Sequence, residues 1–327
     1  MLNKFNSFME KWMPFVTPVC LMVGVLFPDI ARHGVPYVTY VFAFMTFIGA
    51  LKSRFRDIAN VFKRPLPLIL MFLVLHILIP VTAYGVGLLF FPEKTEDPHH
   101  SNYITGIVLE FSVPVAVISL MWVSIYNGNN PLSLSLVILD TILSPFLIPA
   151  TLKILVGSNI KMDTAGMMKE LVFMIALPAV IAMCLNEFSH GKVMETWPKK
   201  LAPFSKMCLI FVVTSNSSKV SPYIKHLNGE RLAVTAIILV LSASGYAIGW
   251  LIAIVTKQNK ESTVSMIYGS GMRNISAGAV IAGAYFPAEC LFPVMIGTLF
   301  QQILAAFYGS LVRRVQMSQR YCSLRSQ

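Results

Sequence analysis

Ten apolar runs recur along this 327-residue chain, at roughly 12–28, 35–51, 66–91, 103–126, 131–156, 167–186, 203–221, 231–256, 262–286 and 288–312. Each is near the ~17–25 residues that a helix needs to cross the hydrocarbon core of a bilayer. Lipid offers no partner to a free N–H or C=O, so a chain carrying such runs must close its backbone hydrogen bonds within each span. That predicts helices, since no ten-residue alternating pattern suggests a barrel. Composition agrees: 56% of residues are hydrophobic, 13% are charged, and the mean hydropathy is +0.69, well above a soluble globular chain. Pro, Ser and Gln dilute the first, seventh and tenth runs. The opening stretch "MLNKFNSFMEKWMPF" has no apolar core followed by a small-residue cleavage site, so no removable signal is expected.

Lys and Arg placement sets the expected orientation. With the N-terminus cytoplasmic, the inner segments hold 17 of the 26 basic residues, among them Lys52, Arg54, Arg56, Lys63, Arg64, Lys199, Lys200, Arg313 and Arg314. Both termini are then cytoplasmic, and the chain is a multi-pass protein of the cell (plasma) membrane. The net charge of +11 reads as topology and contact with the lipid bilayer; no nucleic acid partner is implied. The five cysteines have no metal or redox spacing and read as small hydrophobes.

The chain reads as duplicated. "TPVCLMVGVLFPDI" around Pro18 pairs with "LPAVIAMCLNEF" around Pro178, Pro36 with Pro203, and Pro131 with Pro287, at offsets of 160, 167 and 156 residues. Five spans per half is an odd number, so the halves, 1–160 and 161–327, enter the membrane from opposite sides. That is the inverted repeat of secondary transporters, whose sites lie where corresponding helices break. Pro114 in "LEFSVPVAVIS" and Gly269, Gly271 and Gly278 in "GSGMRNISAGAV" mark such breaks in spans 4 and 9. The second stretch also carries Arg273, a permanent charge at membrane depth.

"GSGMRNISAGAVIAGAYF", Gly269 to Phe286, resembles the ninth helix of the bile acid:sodium symporter family, where a Gly-Met-Gln-Asn core precedes small residues. "SVPVAVISLMWVSIYNGNNPLSLSLVILDTILSPFLIP", Ser112 to Pro149, resembles that family's fourth and fifth helices: Pro114, Ser119, Gly128-Asn129, Ser133, Ser144-Pro145 and Pro149 fall in register. The resemblance covers essentially the whole chain and implies an all-α membrane protein. Its ten transmembrane helices would form a panel domain (spans 1, 2, 6 and 7) and a core domain (spans 3–5 and 8–10), with broken helices 4 and 9 crossing.

The departures from that pattern matter more. The family binds two sodium ions near the crossing. In register, Ser119 and Ser133 retain its serines, but Leu120 replaces an Asn, Val137 a Thr, Gly269 an acid and Arg273 a Gln. A hard cation needs several oxygens, so sodium is in doubt here, and no other cofactor is expected. The alternative is a sodium-coupled symporter with one site rebuilt from Ser119, Ser133 and backbone carbonyls.

Arg273 therefore has two functional readings, a built-in cation or a grip on an anionic substrate, beside a third in which it snorkels or pairs for stability. A charge at that depth needs a partner; Asp140, mid-span in "SLVILDTILSP", is the first choice and Glu110 the second. Either carboxylate, or His76 in span 3, can also be read as a proton carrier. Asn274 matches a family position near the substrate. Gln301 and Gln302 face a cavity or bridge helices. "TSNSSK", Thr214 to Lys219, reads as a wet helix end, and the His99-His100 pair is weak evidence for metal. No nucleophile or metalloprotease motif points to an enzyme, and the loops are too short for a receptor module. The sequence thus reads as a secondary transporter of a small organic anion.

Overall fold

A computed structural model of the protein describes residues 2–54, 65–91, 98–157 and 163–325. The side chains of 2–11, 13–14, 98–99 and 316–325 lie outside that description. So do Arg56, Lys63 and Arg64 of the basic cluster, the acidic stretch 92–97, and the side chains of His99 and Cys322.

The described residues are mostly helical, with no strand longer than a single bridge among them. The helices are α1 (Leu2–Leu26), α2 (Pro28–Ala31), α3 (Val38–Ala50), α4 (Pro65–Leu73), α5 (Ile79–Phe90), α6 (Pro98–Ser112), α7 (Ser119–Ile125) and α8 (Asn130–Leu155). Then come α9 (Thr164–Leu171), α10 (Leu177–Phe188), α11 (Lys192–Lys225), α12 (Gly229–Val255), α13 (Lys260–Gly271), α14 (Ile275–Tyr285) and α15 (Ala288–Arg325). Among the described residues, five helical stretches are long and apolar enough to span a membrane: Pro65–Phe90, Asn130–Leu155, Thr164–Phe188, Gly229–Val255 and Ala288–Val315. Predicted spans 1 and 2 fall on a pair, Phe15–Leu26 and Pro28–Ala50, that meets at 98°. Asparagine and aspartate end the connecting loops because their side chains cap the next helix. Asn129, Asp163, Asn228 and Asn259 accept from the N–H groups of Leu132, Gly166, Arg231 and Ser262 at 2.8–3.0 Å.

Two prolines shape spans 3 and 6. Pro80 and Pro178 each remove a backbone donor and push their rings at the carbonyl four residues earlier. The helix accommodates them with a π-turn just before each, over Val74–Leu78 and Val172–Ala176. Ile79 N–H then reaches back to Val74 O, and Leu177 N–H to Val172 O.

Packing falls into two groups. The first helix lies along α11, and α3 packs on α10 and α11. In the other group α6 sits against α5 and α15, α12 against α13, and α14 against α15. Small residues set the close approaches: Gly24 of α1 leaves no room for a Cβ beside the Thr214 carbonyl of α11, and Gly106 of α6 none beside that of Cys290.

Candidate functional site

Two helix breaks meet. The chain is unwound between α6 and α7, around Pro114, and between α13 and α14, at Met272–Asn274. These segments touch as an isolated antiparallel pairing of Val115 with Arg273. Unwinding frees backbone donors that lipid cannot satisfy. Ala116 N–H donates to Met272 O at 3.2 Å, and Asn274 N–H to Pro114 O at 2.7 Å. Val115 N–H donates to Asp140 Oδ2 of α8 at 2.6 Å, and Arg273 N–H to Gln301 Oε1 of α15 at 2.9 Å. Pro114 has no N–H to place. Each break thus closes on the other and on one side chain from a neighbouring helix.

Asp140 is fully buried, and its second oxygen accepts from His76 Nε2 at 2.8 Å. His76 sits in the π-turn of span 3. The sequence made Asp140 the first-choice partner of Arg273; its hydrogen bonds go to His76 and Val115 instead. Arg273 is 3% exposed, and its two terminal nitrogens have no hydrogen-bond partner among the described residues. Asp140, Glu110 and Tyr246 lie close enough to act on its charge through space.

Glu110, on α6, is also buried rather than facing water. Its Oε1 occupies the space a Cβ on Gly297 of α15 would need, and Oε2 lies 3.9 Å from where Gly278 of α14 would carry one. That oxygen has no hydrogen-bond partner among the described residues. Gly297 makes room for the carboxyl group, while Gly278 makes room for Val113 and Val294, 3.1 and 3.0 Å from where its Cβ would stand.

The other family-register positions are mixed. Ser119 opens α7 and is buried; Ser133 Oγ, in the first turn of α8, is buried without a hydrogen-bond partner among the described residues. Leu120 and Val137 belong to an apolar cluster with Met71 and Leu136. A Cβ on Gly269 would stand 2.7 Å from Leu136 Cδ2 and 2.8 Å from Met71 Sδ, so carbon and sulfur flank the position where the resemblance puts an acid. Gly271 admits the Tyr246 ring, a packing role. Asn274 caps α14 through Ala277 N–H at 3.3 Å and also lines a cavity.

That cavity, about 260 Å³, lies between the two packing groups. The walls from α3, α10 and α11 are mostly apolar; the facing wall includes Pro114, Leu120, Thr141, Asn274, Ser276, Thr298, Gln301 and Gln302. It runs out to Lys52 and Ser53 at the end of α3. Thr141, Ser276 and Thr298 were not singled out in the sequence, since one hydroxyl on an apolar helix resembles any other helix-packing Ser or Thr.

Several apolar helices, a pair of touching helix breaks and a polar-lipped cavity define a multi-pass membrane transporter. Residues 39–227 match the Sodium Bile acid symporter family, and the chain belongs to that family, whose members are transporters rather than enzymes. It is 39% identical over 305 residues to the uncharacterized protein YbaS of Bacillus subtilis, covering 93% of this chain and 98% of that one. It is 19% identical over 328 residues, 99% of this chain and 98% of that one, to YocS of the same organism, named as an uncharacterized sodium-dependent transporter. Over 322 residues, 93% of this chain and 70% of the relative, it is 23% identical to the probable sodium/metabolite cotransporter BASS3, chloroplastic, of Arabidopsis thaliana.

Proposed function

We propose that this chain is a secondary active transporter of a small organic anion, working by alternating access, in which Arg273 stands as a fixed cation where sodium-coupled relatives would hold an ion. The observation that carries this reading is the burial of Arg273 at the contact of two helix breaks, with both terminal nitrogens unpartnered among the described residues. A buried guanidinium keeps its charge and needs counter-charge; Asp140 and Glu110 supply it through space. Sodium fits poorly, because Leu120, Val137 and Gly269 offer carbon where oxygens are required. Transport is then independent of sodium, and Glu110, or the His76–Asp140 pair, is the candidate proton carrier.

The wider arrangement belongs to the same proposal. Ten spans form two inverted repeats, 1–160 and 161–327, with a panel of spans 1, 2, 6 and 7 and a core of spans 3–5 and 8–10. The two packing groups of helices support that division. The protein sits in the plasma membrane with both termini cytoplasmic, so the cavity mouth at Lys52 faces the cytoplasm. Apolar walls with a few convergent polar groups suit an amphipathic anion.

The test is uptake of organic anions into proteoliposomes with sodium and pH gradients varied separately, for the wild type and Arg273→Gln. A built-in cation predicts wild-type uptake without sodium, loss in the Gln variant, and partial recovery at high sodium. A grip on the substrate predicts lowered affinity that sodium does not rescue. Unchanged transport in both media removes Arg273 from either role. One observation favours a second reading, a rebuilt sodium site: Ser133 Oγ is buried and unpartnered among the described residues. Saturable sodium-driven uptake abolished by Ser119→Ala establishes that reading instead.

A further inference from the structure

The polar run Thr214–Lys219 divides between two faces of α11. Thr214, Ser217 and Ser221 face α1: Gly24 packs against Thr214 and Ser217, and Ser221 Oγ donates to Val25 O at 2.7 Å. Asn216 and Lys219 point the other way. Lys219 Nζ donates to Gly283 O of α14 at 2.7 Å, and a Cβ on Gly283 would stand 3.2 Å from Lys219 Nζ and 3.6 Å from Asn216 Oδ1.

That second face continues the wall of the cavity. Ser205, Leu209, Val212 and Val213 line the cavity from α11, and Asn216 and Lys219 follow at helical spacing. On α14 the cavity is lined by Ile275, Ser276 and Ala279, and Gly283 follows one turn on. The two surfaces that part around the cavity therefore close on each other beyond it, at Lys219 and Gly283. More polar contacts join the two packing groups at the same end. Tyr285 O–H, at the end of α14, donates to Glu170 of α9, and Arg231 of α12 lies 5.0 Å over the Tyr223 ring of α11.

Lys219 is half-buried with no carboxylate within ion-pair distance among the described residues. Its counter-charge is the C-terminal end of α14, whose last carbonyls carry partial negative charge. Beside it Asn216 is 2% exposed, and its Nδ2 donor has no hydrogen-bond partner among the described residues. A cation and an unspent amide donor thus sit together on the transport face, with a main-chain carbonyl as the acceptor in this conformation. We propose that Lys219 and Asn216 form an anion subsite on the side away from Lys52, holding the carboxylate or sulfonate of the substrate when α14 withdraws and exchanging it for the Gly283 carbonyl when α14 returns. The assignment rests on the alternating-access reading above.

Thiol labelling tests it without transport. In a background with the native cysteines replaced by serine, Asn216→Cys is reacted in membrane vesicles of each orientation with an anionic and a cationic methanethiosulfonate at low ionic strength. Modification is expected from the face opposite Lys52, with the anionic reagent favoured on the order of tenfold. That preference should vanish in Lys219→Gln and persist in Lys219→Arg. Should Asn216→Cys fail to fold, Gly283→Cys reports on the same spot, since its side chain meets only the flexible ends of Lys219 and Asn216. Absence of labelling from that face, or a preference indifferent to Lys219→Gln, overturns the subsite. A chain that labels as expected yet moves no anion would sink the transport reading alone.

Discussion

Asp140 holds Val115: a carboxylate on α8 accepts, at 2.6 Å, the backbone N–H that the break after α6 sets free. Within a helix that N–H would bond the carbonyl four residues back. Here a side chain from another helix supplies the acceptor, and its other oxygen accepts from His76 at 2.8 Å. One buried acid thereby ties spans 3, 4 and 5 at the point where span 4 changes direction.

Replacing it separates the acceptor from the charge. Asp140→Ala leaves Val115 N–H and His76 Nε2 without acceptors, about 1–3 kcal/mol for each buried group. Asp140→Asn keeps one oxygen for Val115, and His76 can turn its other tautomer to the new amide. The midpoint of thermal unfolding in detergent should fall clearly further for Ala than for Asn. Equal losses would mean that the charge, not the hydrogen bond to Val115, does the holding.

Glu110 and Gly297 form a second pair that only the folded chain reveals. Gly297→Ala puts a methyl group onto Glu110 Oε1, inside the contact of α6 with α15. Overpacking of this kind typically costs about 1–3 kcal/mol, so this variant should be destabilised or poorly expressed. Combining it with Glu110→Ala removes the collision, and the double variant should be more stable than the sum of the single losses predicts. A double-mutant cycle measures that interaction; strict additivity would separate the two residues.

Much of the fold was legible because lipid leaves the backbone few options. Apolar runs long enough to span had to be helices, and Pro114 and the Gly269–Arg273 stretch marked where two of them break. The residue pairings were not legible, since they depend on which helix faces which. Its mid-span depth favoured Asp140 for Arg273, but nothing in the sequence reveals that the break would leave Val115 N–H in need of an acceptor beside that carboxylate. For Glu110, nothing in the sequence around it marks what its carboxyl group packs against. The glycine that leaves room for it, Gly297, lies more than 160 residues away and reads alone as an ordinary helix-packing position. The pairing of His76 with Asp140 was hidden too, since it depends on how span 3 faces span 5, and hydropathy carries no trace of the π-turn that holds His76.

Gly24 tests the packing of the first group. A methyl group there meets the backbone carbonyl of Thr214 and the Cβ of Ser217, neither of which can swing aside. Gly24→Ala should force α1 away from α11 and reduce the yield of monodisperse protein in size-exclusion chromatography. Gly85→Ala, on α5, meets nothing within 4 Å and serves as the tolerated control. Equal behaviour of the two variants would contradict the close approach of α1 to α11.

Gln301 gives the sharpest test of the crossing itself. Its Oε1 accepts the N–H of Arg273 at 2.9 Å, the counterpart in the second break of what Asp140 does in the first. Gln301→Leu keeps roughly the size of the side chain but leaves a buried donor unpaired, a loss of about 1–3 kcal/mol. Gln301→Glu keeps an acceptor and adds a negative charge at the backbone of Arg273, whose terminal nitrogens have no hydrogen-bond partner among the described residues. The Glu variant should therefore unfold at or above the wild-type temperature while the Leu variant unfolds well below it. Because a new ion pair would pin Arg273, the Glu variant should also transport more slowly despite its stability. If Leu proves as stable as the wild type, Gln301 does not hold the second break. If Glu proves as destabilising as Leu, a carboxylate at position 301 does not pair with the guanidinium of Arg273.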